Sequence, residues 1–195
     1  MADFDRSEVE ESFRNYVMTG LVYEDWEAWA NLFTADATYT DHYYGRFTGP
    51  GEITRFLEGT MGFAPHVYTV LVWYVIDGNR IVYKAINRAD NPEPGAAPID
   101  FPSFQIIEYA GGGKWRSEED IWTVREMVAF SKEYSRALEA FPQTLEEKLS
   151  RKDWGPWVEW ARPEPGHVAK PSWFTREGFE PITRLTEFDF GVRTH

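Results

Sequence analysis

Apolar positions in the first sixty residues recur at helical spacing, lapse once into strand-like composition, and then return to helical spacing. Val9, Phe13, Tyr16 and Val17 form one stripe after Ser7 as a candidate cap, with Gly20 near the stop, which predicts an amphipathic helix. Asp25 is the candidate cap of a second helix, whose Trp26, Trp29, Ala30 and Phe33 share a face. From Ala37 to Tyr44 the chain is rich in β-formers and predicts a strand, which Gly45 to Gly51 breaks. A third short helix follows, carrying Ile53, Phe56, Leu57 and Met61.

Downstream the pattern is that of strands and turns. The β-branched and aromatic run His66 to Ile76 ends at Asp77-Gly78-Asn79, a strong hairpin signal, and Arg80 to Asn87 supplies the returning strand. Proline-rich Asn91 to Pro102 predicts a loop. Ser103 to Tyr109 and Lys114 to Trp122 flank Gly111-Gly112-Gly113 as a second hairpin. The order predicts an α+β fold: a curved antiparallel sheet wrapped on N-terminal helices, with no parallel crossover. After Arg125 the composition shifts. Glu126 to Phe141 reads as a helix, 142–162 as a more polar helical piece, and 163–181 as irregular. Residues 1–125 are therefore expected to form the core domain, and 126–195 an extension that packs on it, caps its pocket or reaches a neighbouring subunit. Trp154, Trp157, Trp160 and Trp173 favour docking of this tail.

Composition narrows the function. At 43% hydrophobic and 17% aromatic, 195 residues bury one sizeable core. A net charge of -12 repels phosphate backbones and anionic lipid, so neither nucleic acid nor a membrane is the expected partner. The absence of cysteine excludes disulfides and thiolate chemistry. The acidic N-terminus does not read as a signal peptide and no apolar run is long enough to span a bilayer, so a cytoplasmic protein is expected. Four histidines (His42, His66, His167 and His195) lack metal-ligand spacing, and no phosphate-cradling glycine motif occurs, so neither a metal nor another cofactor is expected.

The run Phe33-Thr34-Ala35-Asp36-Ala37-Thr38-Tyr39-Thr40-Asp41, followed by Gly49-Pro50-Gly51-Glu52-Ile53, resembles the helix-to-strand signature of the SnoaL-like and nuclear transport factor 2-like superfamily. The resemblance extends over roughly residues 7 to 125. It implies a cone-shaped, cystatin-like α+β domain with a deep pocket, and a homodimer or homotrimer. Ketosteroid isomerase, scytalone dehydratase, bile acid 7α-dehydratase, limonene epoxide hydrolase and polyketide cyclases share that fold, so it implies no single reaction.

The resemblance places Asp41 where ketosteroid isomerase keeps its general base and Tyr16 at that enzyme's helix-one phenol donor. A carboxylate walled by aromatics loses solvation and gains basicity, and a buried phenol can donate to a developing oxyanion. The plainer alternatives are a strand-end aspartate bonding a turn and a core phenol. Alternation would put Tyr39 and Tyr43 beside Asp41. His66 resembles a catalytic histidine of scytalone dehydratase, with Asp41 as its electrostatic partner and Tyr68 on its face. Asp100, in Ala97-Pro98-Ile99-Asp100, resembles the second aspartate of ketosteroid isomerase, although strand counting moves that position to Ser103 or Gln105. The aspartate that dehydratases keep at the end of helix one is missing, since Gly20, Leu21 and Val22 stand there. Asn87, Arg88, Arg46 and Glu119 are further polar candidates. The leading expectation is a cofactor-independent lyase or isomerase, with Asp41 or His66 as base and Tyr16 as donor, acting on a small hydrophobic, aromatic or polycyclic substrate. The alternatives are a hydrolase built on Asp41, Arg88 and Asp100, and a non-catalytic binding protein.

Overall fold

In the computed structural model, which describes residues 4–175, helix α1 (Arg6–Tyr16) starts from Asp5 rather than Ser7. The Asp5 carboxylate accepts from the Ser7 amide at 2.7 Å. Val9, Phe13 and Tyr16 are its buried stripe. The helix continues into a π-helical segment, Val17–Val22, so Gly20 does not stop it. Gly20 is instead a close-approach site: a Cβ there would lie 2.2 Å from Trp29 Cδ1. Asp25 caps α2 (Trp26–Ala30) by accepting from the Ala28 amide at 3.0 Å.

Phe33 opens strand β1 (Phe33–Asp41) instead of closing α2. Tyr43 and Tyr44 lie beyond the strand, in the turn to β2 (Gly45–Thr48), a strand too short and glycine-flanked for its composition to announce. Helix α3 (Gly49–Phe63) starts with Pro50 in its first turn, where the missing N–H costs nothing. Strands β3 (Tyr68–Asp77), β4 (Arg80–Ala89), β5 (Ile99–Gly111) and β6 (Lys114–Trp122) complete one sheet in the order β2-β1-β6-β5-β4-β3.

One pairing corrects the expected all-antiparallel sheet: β1 runs parallel to β6, with Tyr39 opposite Glu118 and Asp41 opposite Asp120. The long path through β2, α3 and strands β3 to β5 returns the chain in the same direction, which a hairpin could not do. A second irregularity follows from it. On β6, Ser117 faces Glu108 but Trp115 faces Tyr109, so Arg116 is bulged out and the inward phase inverts after Trp115.

Past the core strands, α4 (Val124–Ala140) is capped by Thr123 and packs Phe130 and Tyr134 against Val67, Ala89, Ile99 and Phe101. The expected polar helix of 142–162 is confined to α5 (Leu145–Lys148), held by a Thr144/Glu147 capping box. Another short helix, α6 (Ser172–Thr175), follows, and part of the predicted irregular stretch lies outside the described residues. Trp154 and Trp160 pack on the main core and Trp173 is buried in it. The tail is also pinned by a fully buried ion pair. Arg151 Nε donates to Glu24 Oε1 at 2.7 Å and Nη2 to Oε2 at 3.1 Å, with both side chains 1% exposed. Among the described residues, no helix is long and apolar enough to cross a membrane.

Candidate functional site

The sheet, α3 and α4 enclose a cavity of about 440 Å³, within the usual range for small-molecule sites. Its walls are largely aromatic: Trp26, Trp29, Tyr39, Phe56, Tyr83 and Trp122 among them. α4 contributes Met127, Phe130, Ser131, Tyr134 and Ser135, so the extension forms part of the wall.

Three carboxylates line this space: Asp41, Glu118 and Asp120. Asp41 is 3% exposed and heavily bonded. Its Oδ1 accepts from the Tyr43 and Tyr44 amides, both at 2.7 Å, and its Oδ2 from Trp122 Nε1 at 2.9 Å. Burial raises its pKa and these three donors oppose the rise. Asp41 therefore anchors the β1–β2 turn, and that turn swings Tyr43 out to 50% exposure instead of continuing the alternation.

On β6, Glu118 and Asp120 both face inward because of the Arg116 bulge. Tyr16 Oη donates to Glu118 Oε2 at 2.6 Å and lies 3.0 Å from Tyr83 Oη. Burial drives the Glu118 carboxyl well above the ordinary range, and Asp120 adds to the rise. Burial likewise raises the Tyr16 phenol, so it is a neutral donor. Asp120 accepts from Gln105 Nε2 at 2.9 Å and Tyr39 Oη at 3.2 Å. Burial and the neighbouring Asp41 charge raise its pKa to about 7. Two inward acids on one strand are thus both held above the normal carboxylate range.

His66 lines the cavity from the turn before β3, stacked on Tyr134 with ring centroids 3.9 Å apart. Burial first, then the charges of Lys148 and Arg151, push its pKa down to about 3, so it is neutral at physiological pH. Since the strand begins only at Tyr68, the expected shared face fails. Tyr68 does not line the cavity, and its hydroxyl donates to Asp90 at 2.8 Å beneath the tail. Asn87 does line it, donating to Ser103 Oγ at 3.1 Å. Its neighbour Arg88 necessarily faces the other way, pairing with Asp100 at 2.7 Å and Asp153 at 2.8 Å. Arg88 and Asp100 are therefore absent from the cavity wall, and the Asp41, Arg88 and Asp100 set is not assembled. Strand counting pointed to Ser103 or Gln105; of these, Gln105 lines the wall and Ser103 does not, whereas the Asp100 of the Ala97-Pro98-Ile99-Asp100 match lies outside it. Arg46 stands outside the wall, and Glu119 meets His42 at 2.7 Å outside it. Glu118, Asp120 and Tyr83 were not singled out from sequence. Among the described residues, no group of three potential metal ligands clusters.

Comparison with known proteins agrees with this fold. Among curated protein sequences, none matches the chain. Similar folds include a protein from Catenulispora acidiphila with a ketosteroid isomerase-like fold, solved with trimethylamine (21% identity, TM-score 0.51, covering 64% of this chain and 92% of that one). Another is a protein from Shewanella denitrificans designated a SnoaL-like polyketide cyclase (14% identity, TM-score 0.52, 65% and 98% covered). A third is SalBIII, an epoxide hydrolase/cyclase-like enzyme of pyran ring formation in the polyether salinomycin (15% identity, TM-score 0.51, 63% and 95% covered). The fold thus houses small-molecule enzymes of cyclase type. Residues 13–118, more than half of the sequence, match the SnoaL-like domain, and the chain belongs to that family.

Proposed function

We propose that the chain is a cofactor-independent lyase or isomerase that moves a proton on a small, largely apolar, aromatic or polycyclic substrate. The observation that carries this reading is Asp120, a carboxylate with a pKa of about 7 set in an aromatic cavity beside the Tyr16–Glu118 pair. Near neutrality about half of such a carboxylate is ionised and able to accept a proton from carbon. Tyr16, or a protonated Glu118, donates to the oxygen on which charge develops. The base role expected of Asp41 or His66 passes to Asp120 in this proposal, because Asp41 is committed to three donors and His66 is a very weak base. Asp41 keeps Asp120 basic through its charge. Tyr39 and Asn87 orient substrate. Self-association as a dimer or trimer belongs to the same proposal, with Trp73, Val75, Phe104 and Ile121 exposed on the sheet.

The test is proton exchange at carbon. Steroid, phenolic and polyketide-like ketones are incubated with the protein in deuterated buffer and followed by NMR. Asp120→Asn is expected to slow exchange on any responsive compound about a hundredfold or more. Unchanged exchange in that variant refutes the assignment.

A further inference from the structure

We infer that the cavity takes a lipophilic amine in its protonated form, bound through the Asp120–Gln105 wall. This rests on the cavity being the substrate site proposed above, and specifies what enters it.

Three carboxylates line the cavity, and among the described residues no lysine or arginine does. Among the described residues the one imidazole in the wall, that of His66, is neutral at physiological pH. The raised acids are the signature of this imbalance: burial penalises their charge, and no buried cation offsets it. An ammonium group supplies the missing charge, whereas a carboxylate or phosphate meets repulsion on top of its own desolvation.

A second observation, independent of the charge count, points the same way. Gln105 is 5% exposed and lines the cavity, yet its Oε1 is buried with no hydrogen-bond partner. Its amide orientation follows from Asp120: the ionised carboxylate Oδ1 accepts from Nε2 at 2.9 Å, and the reverse orientation would set two oxygens together. The orphan is therefore an acceptor, beside a carboxylate with lone pairs left. An N–H donor of positive charge satisfies both. Aromatic faces in the walls add cation–π attraction. Pairing with the amine holds Asp120 ionised at neutral pH and draws its pKa down.

The groups facing Asp120 are Asp41 and Tyr39 of β1, His42 of the turn after it, Gln105 of β5, Glu118 of β6 and Tyr83 of β4. Naphthylmethylamine, naphthylmethanol and naphthoate share one ring system and separate the three charge states. Calorimetry on the full chain is expected to rank amine over alcohol by about tenfold at about pH 8, with naphthoate not bound. The preference should shrink several-fold toward about pH 5.5, where Asp120 is protonated but the amine remains charged. Asp120→Asn should abolish that pH step. Equal binding of amine and alcohol overturns the amine inference and leaves the acid–base reading standing. Preference for naphthoate also overturns the inference. Binding of none of the three overturns both, because no aromatic ligand then enters the cavity. A pH step that survives Asp120→Asn removes the wall assignment.

Discussion

Replacing Arg151 by methionine tests whether the extension is an integral part of the fold. The change keeps the aliphatic stem but strands Glu24, whose side chain is 1% exposed and whose two carboxylate oxygens both take their hydrogen bonds from Arg151. Breaking one side of a buried pair costs about 3–5 kcal/mol, because an uncompensated charge is left behind. The guanidinium also donates to Lys148 O at 2.8 Å and lies 5.3 Å over the Tyr68 ring, so little relaxation is open to the site. For a domain of this size a loss of 1 kcal/mol lowers Tm by about 2–4 °C, so Arg151→Met should melt about 6–20 °C below the parent. Circular dichroism melts at neutral pH measure this. The double variant Glu24→Leu/Arg151→Met should recover most of the loss, since removing both charges leaves nothing unpaired. A drop of under about 3 °C in the single variant, or no recovery in the double, refutes the reasoning.

Four further outcomes follow. Because the Asp120 pKa is raised in the fold, the native state binds more protons between about pH 4 and about pH 7, and its contribution to stability falls as pH rises through that window; Asp120→Asn should flatten this part of the Tm–pH curve relative to the parent. His66 has the opposite sign. Its pKa is depressed to about 3, so stability falls as pH drops below about 6.5, and His66→Phe should lessen acid destabilisation in that range in chemical denaturation. Tyr16→Phe removes the donor to Glu118 and should slow carbon exchange about tenfold or more while the fold persists by near-ultraviolet circular dichroism. Gly20→Ala puts a methyl against Trp29 and should cost about 1–3 kcal/mol in urea unfolding, and an unchanged midpoint would show that the π-helical segment yields freely.

Much of the architecture was legible because it rests on local patterns. The stripe from Val9 to Val17, the Asp25 cap, the Asp77-Gly78-Asn79 hairpin and the triple-glycine turn each encode an element within a few residues. The parallel β1–β6 pairing was not legible, since strand neighbours far apart in sequence leave no local trace. The cavity acids were hidden for another reason. Strict alternation from the buried Trp115 places Ser117 and Glu119 inside, and Glu118-Glu119-Asp120 reads as a solvated face. Only the offset at Arg116, set by pairing with β5, turns Glu118 and Asp120 inward. Tyr16 and Asp41, which the resemblance singled out, line the cavity, and the plainer alternative for Asp41, a strand-end aspartate bonding a turn, matches its hydrogen bonds to the Tyr43 and Tyr44 amides.

That offset makes the chemistry of this cone depend on strand register rather than on side-chain identity. A strand of the same length running straight from Trp115 would turn Ser117 and Glu119 inward in place of Glu118 and Asp120, without altering any acid. Deleting Arg116 would instead set Glu118 two residues from Trp115, on the same face. A relative could therefore carry the same carboxylates in the same order and present a different lining, a difference that aligned identities alone would miss.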